Sequence, residues 1–249
     1  MKRLLIISWL TALCFLLLGN VHAWEIPSYI RLDSGTRMWF TVLGGDLVQA
    51  DRTKIDLGNN LGVKKDQLAW EFCLSARFDN IHVLRFRAEP STVYEQSKND
   101  SLHAVSDYRL GYDLDFYMTP QVLFGTNVDF DFPTVRTRVR NVNLGLITYD
   151  YDDNKTRFVP TVGLHGTFYP IVGGISLRPN ISARVNWINY EGLEAWDWEA
   201  ATSVDVPVNR LWTWNVTGGY RYSHLKFKRD IDTVDMNRMG FFIESGVLF

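Results

Sequence analysis

Arginine and carboxylate side chains recur at every second position in several segments of this chain. Arg85, Arg87 and Glu89 show the spacing most clearly. Residues two apart on an extended strand point to the same side, so such runs gather guanidinium and carboxylate groups on shared faces. The chemistry that this spacing predicts is a network of charge-assisted, bidentate hydrogen bonds. The residues that we expect to form it are Arg77, Arg85, Arg87, Arg109, Asp113, Asp115, Asp129, Asp131, Arg184 and Glu199.

Other chemistry finds little support in the sequence. It contains no Walker-type loop, no Gly-x-Ser-x-Gly, no Cys-x-x-Cys and no His-Glu-x-x-His. We therefore expect no catalytic residues, no metal ligands and no cofactor. The faces that hold the network carry further charged groups, namely Arg37, Arg178, Arg221, Glu71, Glu89, Asp197, Asp205 and Glu244.

The charged faces belong to segments that alternate apolar and polar residues with period two, which predicts β-strands. In the clearest segment, Leu68, Trp70 and Phe72 oppose Glu71 and Cys73. The segments have about the 9–11 residues that a tilted membrane strand needs. The ten predicted strands cover residues 36–48, 68–78, 82–91, 107–116, 121–132, 158–168, 176–187, 196–206, 211–223 and 237–249.

The connections between these strands alternate in length, as they do in transmembrane β-barrels. Short turns are predicted at 79–80, 119–120, 169–174 and 207–210, and longer loops at 49–66, 92–106, 133–157, 188–195 and 224–236. The loop at 92–106 contains His103. Residues 133–157 hold a second alternating stretch, which either extends the fifth strand or adds an eleventh. We favour the extension, and we predict an all-β, transmembrane, antiparallel up-and-down β-barrel of ten strands.

Alternation alone does not separate a membrane barrel from a soluble one, because exchanging inside and outside gives the same pattern. Two features favour the membrane. Beyond residue 23 the lysines all fall in predicted loops or at their edges, whereas the cations on the polar strand faces are arginines, whose planar donor fork suits a confined interior. Aromatic residues such as Trp196, Trp198, Tyr220 and Tyr222 collect near predicted strand ends, as in interfacial girdles.

The first 23 residues have the pattern of a secretory signal, with Lys2 and Arg3, an apolar run over residues 4–18, and a small-residue tripeptide that ends at Ala23. We expect cleavage after Ala23, which leaves residues 24–249 as the barrel domain. No apolar stretch in that domain is long enough to span a bilayer as a helix, so strands must cross the membrane.

The charge of the predicted barrel domain is nearly balanced. The whole chain has 26 lysines and arginines and 28 acidic residues. The signal removes Lys2 and Arg3 and no acid, which leaves 24 cations against 28 acids and a net charge of −4. This balance argues against a nucleic-acid partner.

The last strand ends on Phe249, and Phe241, Ile243 and Val247 share its face. A strand of this kind resembles the signal that the outer-membrane assembly machinery of Gram-negative bacteria reads. The chain is also similar to a loose group of proteobacterial outer-membrane β-barrels without an assigned activity. The segments that carry this similarity are Lys54-Ile-Asp-Leu-Gly58, Leu61-Gly62, Leu68-Ala-Trp-Glu-Phe72, Tyr108-Arg-Leu-Gly-Tyr112 and Gly218-Gly-Tyr-Arg-Tyr222. The resemblance implies an outer-membrane location and the assembly machinery as a partner.

Three functions are compatible with such a barrel. We favour a structural or interaction role, with an interior that is largely filled by the arginine–carboxylate network. The second hypothesis is a narrow channel for small solutes. The third is an outer-rim enzyme acting on lipid A or peptides, in which His224 with Asp230, Asp232 and Asp235 would imitate the site of the omptin proteases. Ser223 is next to His224, but neighbours in a strand point to opposite faces.

The predicted external loops carry cations that include Lys226 and Lys228. Cations at the outer rim can form ion pairs with phosphate groups. We therefore expect outer-membrane lipids and lipopolysaccharide as partners, whereas no protein partner is indicated.

Deletion of Phe249 is expected to reduce insertion into the outer membrane, because this residue closes the face that resembles the assembly signal. The measurement is the abundance of the protein in outer-membrane fractions and its heat-modifiable migration. Leu248→Ala is the control, since Leu248 lies on the opposite face of the strand. Normal abundance and migration of the truncated protein would contradict this expectation.

Overall fold

The computed structural model describes residues 30–48, 54–56, 66–96, 101–119, 121–143, 148–170, 178–209, 212–229 and 232–249. The predicted signal segment and its cleavage after Ala23 lie outside these ranges. Within them the chain forms antiparallel β-strands and no helix. Accordingly, this part of the chain has no helix that is long and apolar enough to cross a membrane.

The strands are longer than a bilayer alone requires. Several of them have 15 to 19 residues, against the 9–11 or so that cross the hydrocarbon. Their bounds are β1 (Ile30–Val48), β2 (Lys54–Asp56), β3 (Asp66–Phe78), β4 (His82–Gln96), β5 (Ser101–Thr119), β6 (Val122–Asp131), β7 (Thr134–Asn143), β8 (Thr148–Thr156), β9 (Val159–Phe168), β10 (Arg178–Tyr190), β11 (Leu193–Pro207), β12 (Thr213–Arg229) and β13 (Asp232–Leu248).

Ten of these strands close into a ring. Each pairs with its neighbour along the chain in the order β1, β3, β4, β5, β6, β9, β10, β11, β12 and β13, and β13 returns to pair with β1. The ring has no free edge, so each of its strands is hydrogen-bonded to a neighbouring strand on both sides. The predicted ten-stranded, up-and-down antiparallel barrel is confirmed.

The segment that left the strand number open forms the hairpin β7–β8. Strand β6 pairs with β5 from Arg109 to Thr119, and β7 continues along the same strand from Ser106 to Leu102. The hairpin therefore prolongs β6 and β9 beyond the ring instead of entering it. The preference for an extension over an eleventh strand is confirmed.

The two ends of the barrel differ. We call the end that carries Ile30 and Phe249 the terminal end, and the opposite end, from which the β7–β8 hairpin projects, the far end. At the far end β10 turns into β11 through Glu191 and Gly192, with φ of 47° and 82°. A type I′ hairpin turn has positive φ at both central positions, and at the second of them Gly192 adopts it without strain.

Several predicted loops at the far end are in fact strands. Strand β4 continues to Gln96 and β5 begins at Ser101, so most of 92–106 is paired and His103 lies buried within β5. In the same way, 188–195 shrinks to a two-residue turn, and most of 224–236 belongs to β12 and β13. The first strand begins at Ile30, six residues earlier than predicted. The loop predictions were wrong because these segments lack the membrane pattern, in which apolar residues point outward and polar residues point inward. Strand β13 shows where this pattern ends.

Along β13 the apolar and polar faces exchange sides without any change of register. Even-numbered residues point inward throughout, and near the far end these are the buried Val234 and Met236. From Arg238 onward the inward positions include charged groups, whereas the outward Phe241 and Ile243 are 69% and 49% exposed. The far end therefore resembles a soluble barrel, with an apolar interior, and the remainder resembles a membrane barrel.

The outer wall below this switch is apolar all round. Large side chains exposed there include Phe40, Leu68, Leu74, Leu84, Leu110, Phe124, Val162, Ile181, Trp187, Trp214, Phe241 and Ile243. Soluble monomers rarely expose contiguous apolar patches beyond a few hundred Å², so this surface faces lipid. Near the switch, the Trp196 and Tyr222 rings stack with centroids 4.7 Å apart, and the Trp198 and Tyr220 rings with centroids 5.5 Å apart.

Arginine on the lipid face should destabilise the barrel more than arginine inside it does. Leu110 is 50% exposed on the outer wall, and Leu110→Arg should cost about 2–4 kcal/mol near mid-bilayer. Ser182 is the matched control, because it lines an interior cavity that has room for a longer side chain. Reversible unfolding in lipid measures both changes, and equal costs would mean that the two faces have been exchanged.

Candidate functional site

Asp113 is the centre of one half of the charged interior. It accepts two hydrogen bonds from Arg184, with Nη2 2.7 Å from Oδ2, and it also accepts a fork from Arg85, with Nη2 2.7 Å from Oδ1. The same Nη2 of Arg85 lies 2.7 Å from Oδ1 of Asp129 on β6. Strands β4, β5, β6 and β10 place these side chains because all four are inward positions of the alternation.

Asp197 on β11 joins this group to the opposite wall. Its Oδ2 lies 2.6 Å from Nη1 of Arg109, which belongs to β5 and also contacts Asp131. Its Oδ1 accepts a hydrogen bond from Nδ2 of Asn186 at 2.9 Å, and the same amide reaches Asp129. In the ring, β5 and β11 are four strands apart, so the bond between Arg109 and Asp197 crosses the interior.

Arg37 on β1 is the centre of the other half. Its guanidinium lies 2.6 Å from Oε2 of Glu199 and 2.7 Å from Oε2 of Glu244, and it stacks on the Phe242 ring at 3.9 Å. Glu71 accepts a hydrogen bond from Arg221 at 2.7 Å, and Arg37 lies 3.7 Å from it. Arg221 also reaches Asp197 at 3.4 Å, so the two halves form one connected network.

Arg87 is held differently from the other network arginines. Its guanidinium lies 3.7 Å from Glu71 and 3.6 Å from Glu199, which is longer than a charge-assisted hydrogen bond. It therefore contributes positive charge to this half of the network without a short directional bond.

Arg77, Asp115 and His165 form a smaller group nearer the terminal end. Asp115 contacts the Arg77 guanidinium, and its Oδ1 lies 2.6 Å from Nε2 of His165. Ligand atoms of Asp113, Asp115 and His165 all lie within 4.8 Å of one another, a spacing that a metal ion could use. Arginines already contact both carboxylates, however, so their charge is compensated without a cation.

Trp39 separates the network from the far end. Its ring is 1% exposed, with the guanidinium carbon of Arg221 4.8 Å from the ring centroid and that of Arg238 4.5 Å from it. Arg238 donates to Oε1 of Glu89 at 2.6 Å. Cation–π contacts of this kind let an arginine stay charged in a dry interior.

The structure places the ten residues that the spacing singled out on inward positions, in contact with opposite charges. Arg178 is exposed, and Asp205 accepts from Asn215 at 2.6 Å, so these two stay outside the network. Arg238, Asn186 and Trp39 were not predicted as members. Each of them lies an even number of residues from a predicted inward residue on the same strand, namely Glu244, Arg184 and Arg37 respectively. This alternation could have identified them from the sequence.

Beyond Trp39 the buried side chains are mainly apolar, with His103 among them. A cluster of the apolar ones obstructs the interior, with Leu43, Tyr94, Val105, Val135, Val159, Ala195, Leu225, Phe227, Val234 and Met236 as members. They come from eight different strands, so the closure surrounds the axis. We call this cluster the far-end plug.

Toward the terminal end the interior is open instead. A cavity of about 840 Å³ lies between the network and the strand ends, and Arg31, Arg178 and Leu248 line it near those ends. Its deeper wall includes Arg85 and Arg184. A polar cavity therefore reaches from the terminal end to the network.

Of the outer-rim residues, the structure describes the side chains of Ser223, His224 and Asp235, and Ser223 and His224 point to opposite faces of the barrel wall. His224 points outward, where Nδ1 lies 3.7 Å from Oδ1 of Asp235 and the ring packs on Trp196. Ser223 is on the opposite face of β12, as the alternation requires. Asp230 and the side chain of Asp232 lie outside the described residues.

Comparisons with known proteins give the fold a context. No family model and no curated protein matches the chain. Among solved structures it is similar to the outer-membrane protease OmpT of Escherichia coli, at 8% identity and a TM-score of 0.45 over 90% of this chain and 97% of that one. It is also similar to OprG of Pseudomonas aeruginosa, at 11% identity and 0.35 over 88% and 95% of the chains. A third similar structure is Neisserial surface protein A, at 10% identity and a TM-score of 0.34 over 89% of this chain and 96% of that one. At such scores these likenesses carry no argument about activity.

Asp113→Asn is expected to destabilise the barrel by about 3–5 kcal/mol, because it leaves two guanidinium groups without their shared charge. Asp205→Asn is the control, since Asp205 accepts from an amide and not from an arginine; it should cost about 1 kcal/mol or less. Unfolding in lipid measures both free energies. A loss for Asp113→Asn no larger than that of the control would show that the network does not carry stability.

Proposed function

We propose that the protein is a closed outer-membrane β-barrel with a structural or interaction role. The observation that carries the proposal is the double obstruction of the interior, first by the arginine–carboxylate network and then by the far-end plug. A general pore needs a continuous aqueous path, and both obstructions lie across it.

The network supports closure because its bonds cross the axis. The Arg109–Asp197 bond joins strands four apart in a ring of ten, and the Arg221–Glu71 and Arg37–Glu199 bonds each join strands three apart. An unpaired charge in such an interior costs several kcal/mol, so an opening would have to break pairs that stabilise each other. The volume of the bonded side chains is thereby unavailable to solutes.

The plug supports closure for a different reason. Its members are apolar, and a dry apolar constriction excludes hydrated ions. Tyr94 adds its hydroxyl contact with Thr41 to the packing. The far-end plug would therefore oppose conduction even if the network rearranged.

The outer surface supports the membrane assignment and its orientation. The apolar wall suits lipid, and the predicted export signal together with the resemblance of the last strand to an assembly signal favours the outer membrane. Phe241, Ile243 and Phe249 are exposed on that strand, and Phe249 pairs through its backbone with Leu32. We place the terminal end toward the periplasm, as in barrels with short periplasmic turns.

In this orientation Lys226 and Lys228 lie beyond the aromatic residues at the external face. Lys226 is 3.9 Å from Glu194, with both side chains more than 40% exposed, so the pair is weak. Lysines at this height favour contact with lipopolysaccharide phosphates, and the assembly machinery remains the expected partner during insertion.

A narrow channel for small solutes is the second candidate. The cavity of about 840 Å³ at the terminal end favours it, because half of a path would already exist. The network and the far-end plug would then both have to rearrange.

Single-channel conductance in planar bilayers at about 1 M salt distinguishes the two candidates. We expect the unmutated protein to show no steady opening, because the plug and the network obstruct the same axis. Phe227→Ala combined with Arg109→Ala should introduce a small leak, because the double variant removes a ring from the plug and a guanidinium from the network. The matched control is Phe124→Ala combined with Arg109→Ala, which removes a ring from the lipid face instead.

A steady opening in the unmutated protein, comparable to that of a general porin, would overturn the closed-barrel proposal. Such an opening would make the channel for small solutes the favoured candidate. An equal leak in the two double variants would contradict the role of the plug, because removal of the lipid-facing ring of Phe124 leaves the plug intact.

A further inference from the structure

Three arginines of the terminal-end cavity are more exposed than the carboxylates that they contact. The Arg77 side chain is 26% exposed against 2% for Asp115. Arg85 and Arg184 are 18% and 21% exposed against 5% for Asp113. The wall therefore presents guanidinium groups to the cavity, although the charges are balanced in number.

Several donors on this wall remain available. Arg85 uses Nε and Nη2 for its carboxylates, and Arg184 uses Nη1 and Nη2. Arg77 uses Nη1, which contacts Asp115 and the carbonyl of Asn80. The described residues provide no partner for Nη1 of Arg85, Nε of Arg184, or Nε and Nη2 of Arg77.

The three arginines converge on two neighbouring carboxylates. Arg85 and Arg184 share Asp113, Arg77 contacts Asp115, and ligand atoms of the two carboxylates lie within 4.8 Å of each other. Guanidinium groups bind carboxylates and phosphates through planar, bidentate hydrogen bonds. The buried carboxylates also hold the arginines in place before any ligand arrives, which lowers the entropic cost of binding.

We propose that this cavity binds a small oxyanion, a phosphate or a carboxylate, at a site formed by Arg77, Arg85 and Arg184. The volume of about 840 Å³ lies in the usual range for small-molecule sites, so the ligand can be larger than the anionic group itself. The proposal goes beyond the closed-barrel role, because a site at the terminal end requires no passage through the far-end plug.

Two carboxylates in the cavity restrict where the anion binds. Glu199 and Glu244 also face the interior, with side chains 19% and 15% exposed, and they would repel an anion on their side. The oxyanion site is therefore confined to the part of the cavity where Arg77 on β3, Arg85 on β4 and Arg184 on β10 converge.

A metal ion on Asp113, Asp115 and His165 is the competing occupant. It would displace three arginines from the carboxylates and would lie among their positive charges. That repulsion favours the anion over the cation at this position.

Isothermal titration calorimetry on the purified, folded barrel tests the site, with inorganic phosphate and succinate as separate probes at constant ionic strength. We expect saturable one-to-one binding of at least one probe, and the tighter of the two identifies the anion class. Arg184→Gln should weaken it by at least about tenfold, since a charge-assisted hydrogen bond is worth that factor or more. Arg184→Lys keeps the charge and loses the fork, so it should also bind more weakly.

Arg157→Gln is the matched control, because Arg157 packs on Phe227 at the far end and lies outside the cavity; its affinity should equal that of the unmutated protein. Heat-modifiable migration confirms that each variant is folded. Absence of saturable binding of both probes to the unmutated protein would overturn the proposal, and so would unchanged affinity in both folded Arg184 variants. Zinc binding that His165→Ala abolishes, without any anion binding, would assign the cluster to a cation instead.

Discussion

Charge compensation inside a narrow barrel is the constraint on which the rest of this structure depends. Hydrocarbon surrounds the wall, so a buried guanidinium can be neutralised only by a carboxylate that the wall itself provides. The sequence meets this requirement with inward arginines and acids on nearly every strand. Arginine suits the task better than lysine, because one fork can bind two carboxylates, as Arg85 binds Asp113 and Asp129. The network then joins strands that the backbone ladders leave far apart.

The same constraint explains why the interior changes character along the axis. Beyond the hydrocarbon the outer surface meets water, so polar groups no longer need to be enclosed and apolar residues take the inward positions. In β12 the inward Leu225 and Phe227 follow Arg221, and the outward Lys226 and Lys228 follow Tyr222. The same inward–outward alternation of side chains therefore suits hydrocarbon along most of the wall and water at the far end. The polarity of the two faces changes where Trp39 packs between Arg221 and Arg238. Closure of the far end is a consequence of this exchange, since a soluble barrel end fills its interior with side chains.

The number of strands and their inward phase could be predicted from the sequence, because alternation is a local property. The lengths of the strands could not be predicted, because the prediction used the span of a bilayer. His103 and Val105 lie beyond that span, in a part of β5 where the interior is mainly apolar. Individual ion pairs were also out of reach. Which arginine meets which acid depends on strand tilt and stagger, and the Arg109–Asp197 pair joins residues 88 apart in sequence. Arg238 was missed as a network member because it lies at the point where the polarity of β13 reverses.

We expect ion pairs across the interior to hold the closed barrel together. A double-mutant cycle on Arg109 and Asp197 measures this contribution, with Arg109→Met, Asp197→Leu and both together, by reversible unfolding in lipid. Because each single variant leaves a buried charge without its partner, the coupling free energy should be at least about 1.5 kcal/mol. The double variant should then be less destabilised than the sum of the two single variants. Additive losses, within about 0.5 kcal/mol, would show that the pair does not couple the two walls and would contradict the account.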